Sequence, residues 1–265
     1  MRISLLVQYD GSQYYGWQVQ PDPKTVQGEI ERALFKLFDV KIRLHGSGRT
    51  DSGVHALGQV AHFDITETPI PAQNMWKALN RYLPRDIRIL SSQQVLDDFH
   101  SRFNAIQREY RYEICQNQNI LRRNMQWQVS YDLDMGNLDK TTELVRGIHD
   151  FSSFCFAGTD TENMICDISD AYWLRESDGS LSFTIRANRF LHHMVRMLVG
   201  NMIEVGRGKW DMDHFTSLLE HPDPQAVTVS APAQGLALIK VSYPMELQPD
   251  WSASKQSIAS PARTG

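Results

Sequence analysis

The sequence predicts an α+β protein built from two βαββαβ halves, with their sheets joined around a central active-site cleft. Three observations predict it. Apolar residues recur with a helical period in some stretches and alternate in others, and turn residues separate the stretches. The order strand–helix–strand–strand–helix–strand then occurs twice along the chain. Finally, 265 residues of which 42% are hydrophobic and 22% charged supply enough apolar material for a sizeable core.

In the first half, Ile3 to Tyr9 reads as a strand, broken by Asp10-Gly11-Ser12. Val26, Ile30, Ala33, Leu34, Leu37 and Phe38 recur at helical spacing, with Thr25 placed to cap them. The stricter capping box fails, because Gly28 stands where Glu or Gln is required. Lys41 to His45 reads as a second strand. A Gly/Ser/Arg/Asp loop follows, and Gln59 to Ile65 is a third strand. Pro71 opens a predicted helix to about Tyr82, with Met75, Ala78, Leu79 and Tyr82 on one face. Asp86 to Leu90 is extended.

The second half repeats the order. Ile106 to Cys115 is a strand, Asn137 to Ile148 a helix, and Cys166 to Arg175 a strand. Ser177-Asp178-Gly179-Ser180 signals a hairpin, and Leu181, Phe183, Ile185 and Ala187 alternate as the returning strand. Met194, Val195, Leu198, Val199, Met202 and Ile203 form a helical apolar stripe that Gly206 ends. Leu236 to Tyr243 is the last strand. Each half is therefore expected to be ferredoxin-like, over residues 1–104 and 105–247. Residues 248–265, rich in Ser, Ala, Pro and Gln without periodicity, are an expected disordered tail.

No apolar run reaches the ~18–20 residues of a membrane span. The N-terminus has no cleavage-site pattern and reads as mature structure rather than a signal peptide. Cys115, Cys155 and Cys166 are odd in number and widely spaced, which suggests neither a disulfide framework nor a zinc site and fits a reducing cytoplasm. The net charge of -4 argues mildly against a nucleic-acid partner. A local basic cleft on an acidic body would remove that objection.

The most informative segment is Gly46-Ser47-Gly48-Arg49-Thr50-Asp51-Ser52-Gly53-Val54-His55, which joins two strands. Three glycines in eight residues permit close approach of backbone to a ligand. A carboxylate on such a loop is either a nucleophile or base, or a turn residue that caps backbone amides. The segment is no Walker loop, because no Lys-Ser or Lys-Thr pair follows and the next element is a strand.

The run Gly48 to Ala56, continuing to Gly58-Gln59-Val60, resembles the active-site motif of the tRNA pseudouridine synthase A family. That family usually has Ala where this chain has Ser52, a small-for-small change. Tyr9-Asp10-Gly11-Ser12 with Tyr14-Tyr15-Gly16-Trp17-Gln18 resembles its N-terminal signature. Asp98 to Phe103, Arg108 to Tyr112, Asn188 to Arg196, and Gly235-Leu236 resemble further blocks in the family's order.

The resemblance implies conversion of uridine to pseudouridine, with Asp51 as the catalytic carboxylate and Arg196 as the cation that favours its ionised form. Arg196 also lies off the apolar stripe, on a face shared with His192 and His193; alone, it would read as an exposed helix arginine. Arg49 matches the residue that helps expel the target base and fills the space it leaves. Tyr110 matches the active-site tyrosine that stacks on the base and helps remove the C5 proton. In a strand Tyr110 and Tyr112 share a face, so spacing alone does not choose between them. Leu236 matches an apolar residue packed on the base, though it also reads as core. His55 either hydrogen-bonds RNA or satisfies backbone groups.

The resemblance further implies a homodimer spanned by tRNA, uridines of the anticodon stem-loop as targets, and neither cofactor nor metal. His192-His193 raises a metal alternative, but neighbours on a helix diverge by about 100° and no third ligand is evident at suitable spacing. The tyrosines Tyr14 and Tyr15 with Trp17 are either a nucleotide-stacking cluster or core. Two other functions fit parts of the sequence. One is a non-catalytic RNA-binding module of the same fold; the other is an unrelated Asp-dependent small-molecule hydrolase.

Overall fold

The computed structural model describes residues 1–116, 119–158, 161–226 and 228–251. Contacts divide the chain into two compact units, Met1–Ile106 with the chain from Leu238 onward, and Gln107–Ala237. Five helices and ten strands among the described residues make it a mixed α+β protein, the predicted class.

The first unit runs β1 (Arg2–Tyr9), α1 (Val26–Phe38), β2 (His45–Gly46), β3 (His55–Asp64), α2 (Met75–Leu79) and β4 (Ile87–Val95). β1 lies between β3 and β4 and is antiparallel to both. Its near-continuous apolar run follows from that central place. Ile3, Leu5 and Val7 are fully buried on one face, and Leu6 is buried on the other. Each such side chain contributes roughly 1.5–3 kcal/mol over an exposed one. α1 begins where the Thr25 hydroxyl oxygen accepts the Gly28 N–H at 3.3 Å. It ends at Asp39, which is left-handed with φ 56°.

Two expectations for this unit need correction. The second strand is only His45–Gly46. Side chains of α1 occupy the backbone groups that a longer ladder would use. Glu31 Oε1 accepts the Leu44 N–H at 3.0 Å, and Gln27 Nε2 donates to the Leu44 carbonyl at 3.0 Å. The helix expected over residues 71–82 is a 3-10 turn, Ala72–Asn74, and the short α2. The Asn80 amide pairs with both backbone groups of Ile89, at 2.8 and 2.9 Å, and closes the helix. Tyr82 is consequently exposed.

The second unit runs β5 (Gln107–Cys115), β6 (Trp127–Gln128), α3 (Met135–Val145), β7 (Gly147–Asp150), β8 (Ile165–Arg175), β9 (Leu181–Ala187), α4 (Met194–Gly206) and α5 (Met212–Glu220). The last strand, β10 (Leu236–Ser242), starts in this unit and continues in the first. The order β5-β9-β8-β7 is antiparallel throughout. At the predicted β8–β9 hairpin, Asp178 Oδ1 accepts from the Ser180 N–H and hydroxyl, and Gly179 has φ 80°. The six stripe residues of α4 are all buried.

Three details of this unit differ from expectation. The helix predicted to Ile148 stops at Val145, and Gly147, at φ 93°, turns the chain into β7. α5 was not predicted, although Asp211 caps it through the His214 N–H at 2.8 Å and Phe215, Leu218 and Leu219 form its buried face. Gly206 is the last residue of α4 rather than a residue past its end; a Cβ there would stand 2.8 Å from Leu138 Cδ2, so close packing against α3 explains it. No helix among the described residues is long and apolar enough to cross a membrane. Of the expected tail, residues 252–265 lie outside the described residues.

Candidate active site

In the first unit the loop between β2 and β3 carries Arg49 and Asp51, and His55 is the first residue of β3. Glycines alone would leave such a loop many conformations to lose on folding. Surrounding groups fix it instead. The Trp17 N–H donates to the Thr50 carbonyl at 3.1 Å, and the Gly53 N–H donates to the Tyr14 carbonyl at 3.2 Å. Within the loop, the Val54 N–H donates to the Asp51 carbonyl at 3.1 Å. The Ser52 hydroxyl donates to the same Tyr14 carbonyl at 3.2 Å.

The segment after β1 touches this loop so closely that side chains are excluded. A Cβ on Gly11 would stand 2.0 Å from the Val54 carbonyl oxygen. One on Gly16, which has φ 83°, would stand 2.6 Å from that of Thr50. The two sequence blocks around Gly11 and Asp51 are therefore one structural unit. Tyr14 and Trp17 are core members of it, while Tyr15 is exposed.

Asp51 is half-buried and Arg49 is exposed. His55 is buried. Its Nδ1 accepts the Gly11 N–H at 3.0 Å and stands 3.2 Å from Asp10 Oδ1. His55 thus ties the β1 turn to the start of β3.

In the second unit, Tyr110 and Tyr112 lie on β5, opposite Ile185 and Phe183 of β9. Their surroundings differ. Tyr112 is fully buried; its hydroxyl donates to the Pro232 carbonyl at 2.7 Å. Its ring packs so tightly on Gly235 that a Cβ there would stand 2.5 Å from Tyr112 Cζ. Burial pushes its phenol well above the ordinary value, and the positive charge of Arg196 pulls the other way. Tyr110 retains 8% exposure and meets the edge of Phe190, with centroids 5.1 Å apart. Leu236, next to Gly235, is buried at the start of β10.

Arg196 is half-buried in the first turn of α4, and its Nε donates to the Ala231 carbonyl at 2.9 Å. The Ala231 N–H returns a bond to the Arg196 carbonyl. A Cβ on Gly200 would stand 2.0 Å from the Val229 carbonyl oxygen, so the segment carrying Ala231 lies directly on α4. His192 and His193 precede the helix rather than belonging to it. His193 caps it in the left-handed region, with φ 64°. The helical divergence expected of the pair therefore does not apply; their rings are 4.2 Å apart, and both lie against Phe156. The sequence reading did not single out Gly11, Gly16, Gly200 or Ala231 as supports. Only the glycines carried a signal, as small residues interrupting apolar patterns.

The fold is mixed α+β, and its braced glycine-rich loop carries a half-buried carboxylate. Comparison with known proteins gives the family. The tRNA pseudouridine synthase family model matches residues 5–104 and 142–244. The chain is 41% identical over 247 residues to tRNA pseudouridine synthase A of Bacillus pumilus (strain SAFR-032), covering 92% of this chain and 99% of that one. It is 44% identical over 246 residues to tRNA pseudouridine synthase A of Geobacillus sp. (strain WCH70), covering 91% and 98%. The chain belongs to the tRNA pseudouridine synthase family.

Proposed function

We propose that the protein isomerises uridine to pseudouridine in tRNA. The observation that carries this is the family match over most of both units, together with the braced loop that presents Asp51. In the reaction the N1–C1′ bond breaks, the base turns, and a C5–C1′ bond forms. The C5 proton leaves and N1 regains one, so atoms balance without an oxidant, metal or cofactor. The Asp51 carboxylate suits the first step, because it can stabilise positive charge at C1′ or add to that carbon. Arg196 supplies the positive charge that the family resemblance assigns to the reaction. Arg49, exposed on the same loop, stacks on the base and fills the space it leaves. Tyr110 takes part in C5 deprotonation, Leu236 packs on the base, and His55 serves RNA through the loop it braces.

The same reading extends to partner and place. The targets are uridines of the anticodon stem-loop, extruded from their stack before reaction. The working form is a homodimer spanned by one tRNA, in the cytoplasm. The test is pseudouridine mapping on tRNA incubated with the purified protein. New pseudouridine confined to the anticodon stem-loop supports the activity and the target site. Binding without product would leave an RNA-binding module, and turnover of small molecules without RNA would leave a hydrolase.

A further inference from the structure

We propose that Gln59 is a positioning residue for Asp51, and that its buried amide, with Tyr9 and Thr50, holds the loop that presents the carboxylate. The proposal rests on the functional reading above. Gln59 lies in β3 with no solvent exposure. A buried amide is costly unless its donors and acceptor are satisfied. Here the loop satisfies them. Gln59 Nε2 donates to the Gly48 carbonyl at 3.0 Å, and Gln59 Oε1 accepts the Ser47 hydroxyl at 2.5 Å. The Ser47 N–H also donates to the Val60 carbonyl, at 2.8 Å, so the start of the loop is pinned to β3 by backbone and side chain.

The other end is held by Tyr9. Its hydroxyl shares a 2.8 Å hydrogen bond with Thr50 Oγ1, the residue before Asp51. Tyr9 is buried at the end of β1, and burial pushes its phenol well above the ordinary value. It therefore works as a neutral hydrogen-bonding group, not as an acid or base. Gln59 thus holds Ser47 and Gly48, and Tyr9 holds Thr50, so the loop is tied on both sides of Arg49. On the remaining side Trp17 closes the space; a Cβ on Gly46 would stand 2.5 Å from its Nε1. A Cβ on Gly48 would meet nothing within 4 Å, so no side-chain packing at that position adds to the hydrogen bonds. Displacing a reacting group by about 1 Å can cost on the order of a hundredfold in rate, which is why such support matters.

The test uses the full-length protein and an unmodified tRNA transcript. Gln59→Met keeps the length and apolar fill but removes both donor and acceptor. Its single-turnover rate is expected to fall by about tenfold to a hundredfold, with the tRNA Kd changed less than about threefold. Hydrogen exchange in a peptide covering residues 46–54 should quicken by about tenfold, while a peptide covering α4 keeps its rate. Ser47→Ala removes one bond from the loop side, leaves the strand intact, and should show the same split with a smaller loss. Gln59→Glu adds a pH signature. Its buried carboxylate repels the Gly48 carbonyl, and protonation restores the donor, so its rate relative to wild type should recover as pH falls.

A folded Gln59→Met with rate and loop exchange like wild type overturns the proposal. So does a rate loss matched by an equal loss of tRNA affinity, which would make the network an RNA-binding support. If wild type forms no pseudouridine, the functional reading fails, and hydrogen exchange alone then decides whether Gln59 holds the loop.

Discussion

Arg196 and Ala231 hold each other by two hydrogen bonds, Nε to carbonyl and N–H to carbonyl, both 2.9 Å long. The Nε bond sets the direction of the guanidinium plane. Lysine carries the same charge but has no such donor. Arg196→Lys is expected to slow single turnover by about tenfold or more with little change in tRNA Kd, and Arg196→Ala by more. Rates and melting temperatures of both variants check this. A lysine variant with wild-type rate would mean that charge alone matters.

Asp51→Asn should abolish turnover while leaving tRNA affinity within about tenfold, because one carboxylate contributes little to a phosphate-dominated interface. Asn preserves the shape of a side chain in a loop whose backbone is braced independently by Trp17 and Tyr14. The measurements are pseudouridine formation and filter-binding Kd on one tRNA. Substantial product from the variant would remove Asp51 from the mechanism.

Asp51 and Arg196 were marked by the resemblance to the family, while their supports were not. Alone, the Asp51 loop also fits a turn that caps backbone amides, and Arg196 also fits an exposed helix arginine. The long strands β1, β5, β8 and β9 and the helices α1 and α4 were readable because burial imposes their periods. Residues 41–44 show the limit. Their strand pattern was overridden by Glu31 and Gln27, side chains on another element that take the backbone groups of Leu44. Gln59 lies in an ordinary strand pattern, and nothing in its spacing says that its amide reaches Gly48 and Ser47. Contacts of that kind depend on tertiary register.

A histidine cluster should make stability depend on pH. The rings of His45, His62 and His100 lie 4.7–5.7 Å apart, and His62 Nδ1 accepts the Ser101 N–H at 3.2 Å. Burial, then charge at His100 and Arg2, lowers the His62 pKa from 6.5 to about 3, against an opposing pull from Asp64. As pH falls, the unfolded chain takes up this proton first. The stabilisation is therefore complete above pH 6.5 and is lost progressively as pH falls toward 3. His62→Asn keeps an acceptor near Nδ1 but cannot be protonated. Its melting temperature should fall less steeply than wild type between pH 6.5 and about pH 4. Equal slopes would show that other groups govern acid unfolding.

The two tyrosines of β5 separate structure from chemistry. Spacing put both on one face, and their partners now distinguish them. The Tyr112 hydroxyl is committed to the Pro232 carbonyl and its ring to Gly235. Tyr112→Phe would leave that carbonyl without its partner, a cost of about 1–3 kcal/mol if the group stays buried. The melting temperature should drop by several degrees, and the rate of the folded variant should stay close to wild type. Tyr110 packs its ring against Phe190 and keeps 8% exposure. Phenylalanine there preserves the ring and removes the oxygen. Loss of a group that relays the C5 proton is worth ~10²–10⁴ in rate, so Tyr110→Phe should bind tRNA normally and turn over far more slowly. Single-turnover rates on one tRNA, measured well below both melting temperatures, decide between them. If Tyr112→Phe is the slow variant, the catalytic hydroxyl lies two residues further along β5. If neither is slow, deprotonation at C5 uses some other base and Tyr110 contributes only its ring.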